Sequence, residues 1–167
     1  MRTLTQKRVQ RHATAQKLPA SLKRLPGMVK IPKMPKCIVG QCFTDKSVFA
    51  YRDSDLDNLL PTTLKESGET KVSGYELTKV TTEADLAKVG GKFTNLLQIE
   101  DLILRTEKGE NTGLITNGYA NIFFLGVGNS VFAVDAYRDS GGWYIYCDRF
   151  RARDAWSAGR GFFSPAT

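Results

Sequence analysis

Acidic residues are missing from the first 44 positions of this chain, where Asp45 is the first carboxylate. The same stretch carries ten Lys or Arg, while the whole chain has a net charge of +7. The remainder therefore sums to −3, so the basic character belongs to one segment. A charge asymmetry of this kind indicates either a polyanionic partner or a targeting signal.

Few residues suited to catalysis or metal binding are present. His12 is the single histidine, which argues against a positioned Ser-His-Asp or Cys-His pair. Cys37 and Cys42 have a spacing that begins some zinc sites, but the second half of such a motif is missing. We therefore predict no catalytic residue, no metal and no cofactor.

Signals for secretion or membrane insertion are also missing. No run approaches the roughly 18 consecutive apolar residues that cross a bilayer, and the N-terminus lacks the apolar middle section of a secretory signal. Three cysteines, an odd number, do not form a disulfide framework. We expect an intracellular protein of the cytoplasm, a virion or an organelle, with no membrane partner.

The chain divides by composition into a basic, proline-punctuated arm at residues 1–36 and one globular domain at residues 37–167. Prolines in the second part of the arm favour polyproline II geometry, which has three residues per turn. Lys30, Lys33 and Lys36 would then share a cationic edge, and Ile31 would lie on an apolar edge. Such a strap can dock on a surface while presenting its charge outward.

Lys and Arg that neutralise phosphates release counterions, and a basic arm can do this without reading sequence. Near the C-terminus, arginines alternate with aromatic residues, a composition that suits phosphate contact and base stacking. The predicted nucleic-acid contacts are Arg2, Lys7, Arg8, Arg11, Lys17, Lys23, Arg24, Lys30, Lys33 and Lys36 in the arm, with Arg149, Arg151 and Arg153 as a second set.

Two other interpretations of the arm stay open. An acid-free, Arg-bearing N-terminus is typical of organellar targeting peptides that are cleaved. Alternatively, the arm contacts protein, either an acidic partner or the region 53–110, which holds twelve acids against seven bases.

The pattern after Cys37 predicts an α+β domain with a mainly antiparallel sheet. Residues 37–43 and 47–52 would form an N-terminal hairpin, and a principal helix at residues 94–108 would pack on the sheet. From residue 119 onward, three apolar runs separated by turn residues predict a three-stranded meander.

The last hairpin of the meander can be written out by alternation if Arg138 pairs with Trp143. One face is apolar: Phe132, Val134, Ala136, Trp143, Ile145 and Cys147. The other face holds Ala133, Asp135, Tyr137, Tyr144, Tyr146 and Asp148. Its tyrosines, Tyr137, Tyr144 and Tyr146, are candidates for contact with a partner; alternatively, the helix at residues 94–108 covers this face. Asp135 and Asp148 are the candidate pair if the chain has carboxylate chemistry, although we expect a protein that is not an enzyme.

The sequence thus predicts an accessory or structural component of a nucleoprotein particle that binds RNA or DNA through its arm. The alternative is a protein-interaction module, such as an inhibitor or an assembly factor, that binds an acidic protein through the arm or another partner through the tyrosines.

Overall fold

The structure, a computed structural model, describes residues 17–166. Most of its regular structure is strand. The strands are β1 (Leu22–Arg24), β2 (Val29–Ile31), β3 (Cys37–Ile38), β4 (Phe49–Arg52), β5 (Thr63–Leu64), β6 (Thr70–Leu77), β7 (Thr81–Thr82), β8 (Asn121–Val127), β9 (Ser130–Asp139), β10 (Gly142–Arg149), β11 (Ala155–Trp156) and β12 (Gly161–Pro165). The helices are α1 (Asp55–Leu59), α2 (Glu83–Leu86) and α3 (Leu96–Glu107), with a 3-10 turn at Val39–Gln41. Within this range, none of the helices has the length and apolar character that crossing a bilayer requires.

One eight-stranded sheet organises the chain, in the order β1-β6-β12-β8-β9-β10-β4, with β2 also paired to β6. β12 runs parallel to β8 and β10 runs parallel to β4, whereas the other pairs are antiparallel. Strands make up 39% of the structure and helices 16%. The prediction of an α+β fold with a mainly antiparallel sheet was wrong, because the fold is largely β and its sheet is mixed.

The predicted N-terminal hairpin was wrong for a specific reason. Cys37–Ile38 pairs with Thr63–Leu64, and the next residues turn into a 3-10 helix. Phe49–Arg52 instead joins the main sheet beside β10 as its edge strand. Two nearby apolar runs indicate strands, but their alternation does not say which other strand each run will pair with.

The meander was predicted correctly. Trp143 pairs with Arg138, and the antiparallel register continues from there to Phe132. The six apolar residues of the inner face are all buried. The opposite face of the same strands is only partly covered, so alternation in the sequence was enough to assign both faces.

The predicted helix at residues 94–108 was confirmed apart from its cap. Asn95, not Thr94, is the N-cap: its side chain accepts a bond from the Leu97 amide at 2.8 Å, and the Gln98 side chain accepts from the Asn95 amide at 3.1 Å. This capping box satisfies two otherwise unpaired amides. The helix then packs its apolar side onto the inner face of the meander, in one core cluster with Trp143.

Part of the basic segment belongs to this sheet. β1 and β2 both pair antiparallel with β6, at its two ends, so together they form an edge of the sheet. Ile31 is fully buried in the main core. Lys30, Lys33 and Lys36 are exposed. The described part of the arm therefore packs against the domain through its apolar residues and directs its lysines into solvent.

We expect the substitution Ile31→Ala to lower the free energy of unfolding by about 2–4 kcal/mol, because it removes a fully buried side chain and leaves a cavity. Urea denaturation measures this change. Met28→Ala is the matched control, since Met28 is 52% exposed in the same segment and should change stability by less than about 0.5 kcal/mol. Equal effects of the two substitutions would contradict the docking of the arm.

Candidate nucleic-acid interface and acidic cleft

The basic edge, formed by the arm residues 17–36, carries cations that point away from the core. Within the described residues, Lys17, Lys23, Arg24, Lys30, Lys33 and Lys36 are all exposed. Lys30 pairs with Glu69 at 3.1 Å, with both side chains more than half exposed. Such surface pairs contribute little and exchange readily. This edge therefore retains an excess of positive charge that a polyanion can contact.

A cleft of about 460 Å³ opens where the basic edge meets the segment after α2. Its lining includes Lys17, Arg24 and Lys88 around Tyr75. Arg24 also donates to Ser73 at 3.1 Å, which helps to fix its guanidinium over β6. Three cations around one opening suit phosphate oxygens, because each can donate charge-assisted hydrogen bonds. Lys88 also pairs with Asp85 at 3.1 Å, so a phosphate would compete with that carboxylate for its ammonium group.

Lys88 and Tyr75 were not identified from the sequence. Lys88 follows a short helix and Tyr75 lies within a strand, so neither stands near the arm in sequence. They reach it because β1 pairs with β6, with Arg24 opposite Tyr75. No local sequence pattern predicts the pairing of β1 with β6.

The remaining predicted contacts form two groups. Arg2, Lys7, Arg8 and Arg11 are outside the described residues. Arg149, Arg151 and Arg153 are exposed, but Arg149 ends β10, and four strands separate β10 from β1 in the sheet order.

Carboxylates surround this second set of arginines. Arg151 faces Asp148 at 3.7 Å, and its backbone amide donates to Glu83 at 2.8 Å. The structure thus places Arg151 against Glu83 of α2, and none of the three C-terminal arginines lines the basic cleft. Their neighbours reduce the net positive charge that these arginines present.

The tyrosine cluster, formed by Tyr51, Tyr137, Tyr144 and Tyr146, lies on the outer face of the sheet. The rings of Tyr137 and Tyr144 stack with centroids 4.8 Å apart, and those of Tyr51 and Tyr146 are 5.1 Å apart. Tyr51 is 42% exposed, and the other three are half-buried. α3 packs on the inner face and leaves this cluster uncovered. Sequence reasoning missed Tyr51 because it placed β4 in the wrong hairpin.

An acidic cleft of about 500 Å³ adjoins the cluster at Tyr146. Its six carboxylates come from Asp53, Asp55, Glu83, Asp135, Asp148 and Asp154. Burial, together with the charge of Asp53, raises the pKa of Asp135 to about 7. Among residues 17–166, no three His, Cys, Asp or Glu side chains are arranged to hold a metal ion.

Asp135 and Asp148, the predicted carboxylate pair, both line this cleft. They lie on adjacent strands in diagonal positions, since Asp135 pairs with Tyr146 and Asp148 pairs with Ala133. A cleft with this charge repels phosphate and favours cationic groups. The two charged sites therefore suit ligands of opposite sign.

Comparisons of this chain with models of protein families, with curated proteins and with solved structures found no match. The geometry and charge of these sites are therefore the basis for proposing a function.

The raised pKa of Asp135 predicts that stability falls as pH rises. The folded protein holds this proton more tightly than the unfolded chain, so the stabilisation is complete below the ordinary value of 3.8 and is lost as pH rises through about 7. The loss amounts to about 4 kcal/mol, at 1.4 kcal/mol per pH unit between 3.8 and about 7.

We expect the substitution Asp135→Asn to abolish most of this decrease in the free energy of unfolding with pH, and to make the protein more stable than the wild type at pH 8. Urea denaturation at a series of pH values between 4 and 8 measures the free energy of unfolding of both proteins. Glu66→Gln, which neutralises an exposed carboxylate outside the cleft, is the control and should keep the wild-type slope. Parallel curves for wild type and Asp135→Asn would show that this carboxyl titrates normally.

Proposed function

We propose that this protein binds nucleic acid through the basic edge, as an accessory or structural component of a nucleoprotein particle. One observation carries the proposal: the described cations of the arm are all exposed along a single edge of the sheet. Six carboxylates line the acidic cleft instead, and of the acids beside the edge Glu69 already pairs with Lys30 and Asp85 with Lys88. A phosphate backbone lying on the edge would therefore meet an excess of cations.

The binding mode follows from the chemistry of the edge. Lysines on an extended strand contact phosphates without reading bases, so affinity should depend on salt and little on sequence. The cleft at Lys17, Arg24 and Lys88 supplies a fixed position for one phosphate, whereas Lys33 and Lys36 supply exposed contacts farther along the arm. RNA and DNA both satisfy these contacts.

We expect the triple variant Lys23→Gln, Lys33→Gln and Lys36→Gln to weaken nucleic-acid binding and to flatten its salt dependence. Removal of three phosphate contacts should reduce the slope of log K against log salt by roughly 2–3. Fluorescence anisotropy with labelled single-stranded and duplex RNA and DNA, over a salt series, measures this slope.

The matched control is the triple variant Arg149→Gln, Arg151→Gln and Arg153→Gln, which removes the same charge. We expect a smaller change in slope, because the carboxylates nearby already offset these arginines. A larger change in this control would assign the contact to the C-terminal arginines. No binding by the wild type at moderate salt would reject nucleic acid as the partner.

The tyrosine cluster favours a second function, that of a protein-interaction module. Exposed aromatic rings are enriched at protein interfaces because they bury a large area at a low cost in conformational entropy. Here four rings lie together on an uncovered face beside Asp135 and Asp148. This arrangement suits a partner that presents apolar and cationic side chains.

The double variant Tyr137→Ser and Tyr144→Ser tests that module. A labelled synthetic peptide with residues 1–16 of this chain serves as a basic probe of defined sequence. We expect the variant to bind it at least tenfold more weakly, which corresponds to about 1.4 kcal/mol, while circular dichroism shows that the fold is kept. Unchanged affinity, or no binding to the wild type, would contradict a cation-binding face.

A further inference from the structure

Cys37 and Cys42 face each other across a tight turn. β3 begins at Cys37, the 3-10 turn follows at Val39–Gln41, and Cys42 ends it. The two sulfurs are 2.9 Å apart, and both cysteines are free thiols. A disulfide requires about 2.05 Å between its sulfurs, so a shift of about 0.9 Å would join them.

The turn between the thiols is fixed by Arg52. Its Nε donates to the Cys42 carbonyl and its Nη2 to the Val39 carbonyl, each at 2.8 Å. The same guanidinium bonds the Asp57 carboxylate at 2.6 Å. These bonds hold the two cysteines in position before any reaction, which lowers the entropy lost when a disulfide closes.

Phe43, the residue after Cys42, is also held in a fixed conformation. Its φ is +59°, a conformation that is unusual for a bulky residue. Its backbone amide donates to the Glu100 carboxylate on α3, and its ring packs edge to face on Phe49 at 5.4 Å. Strained backbone of this kind persists only where its surroundings fix it, and it clusters at functional sites.

The two thiols differ in acidity. The pKa of Cys37 lies below its ordinary value, chiefly because Cys42 donates to its sulfur, and the amides of Leu96 and Leu97 in the first turn of α3 add to this effect. Burial and Glu100 act against it. The pKa of Cys42 is raised by the same hydrogen bond and by burial. Cys37 is thus the thiol that reacts first, since the thiolate is the nucleophile.

We propose that Cys37 and Cys42 form a reversible dithiol–disulfide couple in the folded protein. Both thiols are 1% exposed, so the oxidant must be small, and hydrogen peroxide is the class that fits. This proposal is independent of nucleic-acid binding.

The reaction takes place in two steps. The Cys37 sulfur attacks a peroxide oxygen, the O–O bond breaks, and after proton transfer one water leaves with Cys37 as a sulfenic acid. The Cys42 sulfur then gives up its proton and attacks the Cys37 sulfur. The S–S bond forms, the S–O bond breaks, and a second water leaves. Two thiols are oxidised by two electrons and one peroxide is reduced to two waters.

Peptide mass spectrometry of the wild-type protein tests this couple. Trypsin cleaves after Lys36 and Lys46, so one peptide, residues 37–46, carries both cysteines. Folded protein is treated with hydrogen peroxide, its free thiols are alkylated in denaturant, and it is then digested. We expect the peptide from peroxide-treated protein to be lighter by two hydrogen atoms and to carry no alkyl group. Reduction with dithiothreitol after the peroxide and before alkylation should give the same peptide with two alkyl groups.

Cys147 provides an internal control within the same sample. It is a single buried thiol, and burial raises its pKa to about 12, so its peptide should be alkylated in every condition. Two alkyl groups on the 37–46 peptide after peroxide would overturn the proposal, as would oxidation beyond the disulfide at either sulfur. A disulfide that joins Cys147 to Cys37 or Cys42 would overturn it too.

Discussion

The insertion of β12 into the centre of the sheet is the constraint on which the rest of the fold depends. Its residues, Gly161–Pro165, are all buried. They pair antiparallel with β6 on one side and parallel with β8 on the other. Gly74 of β6 permits this, because a Cβ there would approach the Phe163 ring to 2.8 Å. Without β12, the arm strands with β6 and the meander with β4 would be two separate sheets, each with an unpaired edge.

This central strand also determines where the charges of the protein lie. The arm pairs on the β6 side of β12, whereas the tyrosine cluster belongs to β4, β9 and β10 on the other side. At about 4.8 Å per strand, the five steps from β1 to β10 separate the arm from the tyrosine strands by roughly 24 Å along the sheet, more than two Debye lengths at physiological salt. The acidic cleft extends from these strands to Glu83 of α2, and Lys88 of the basic cleft follows the same helix, so α2 carries the boundary between the two charged sites.

Local features of the fold could be predicted from the sequence, whereas the pairing of distant strands could not. The meander register, the faces of its strands and the helix at residues 94–108 follow from alternation, turn residues and capping, all of which act over a few residues. The positions of β4 and β12 do not, because parallel pairing joins segments that are far apart in the chain. The same limit applies to the sites. Composition and alternation were enough to identify the basic arm and three of the tyrosines. Tyr51 and Lys88 join their sites only through pairing between distant strands. The contact between Cys37 and Cys42 depends on the 3-10 turn at Val39–Gln41, where the sequence had predicted a hairpin strand.

Amide hydrogen exchange of the full-length protein, with and without a single-stranded oligonucleotide at low salt, locates the nucleic-acid-binding surface. We expect bound nucleic acid to slow exchange at residues 17–36 and near Lys88, with no change at the tyrosine cluster or at Asp135. Slower exchange confined to residues 135–148, with the arm unaffected, would contradict this expectation and would place the binding surface at the other end of the sheet.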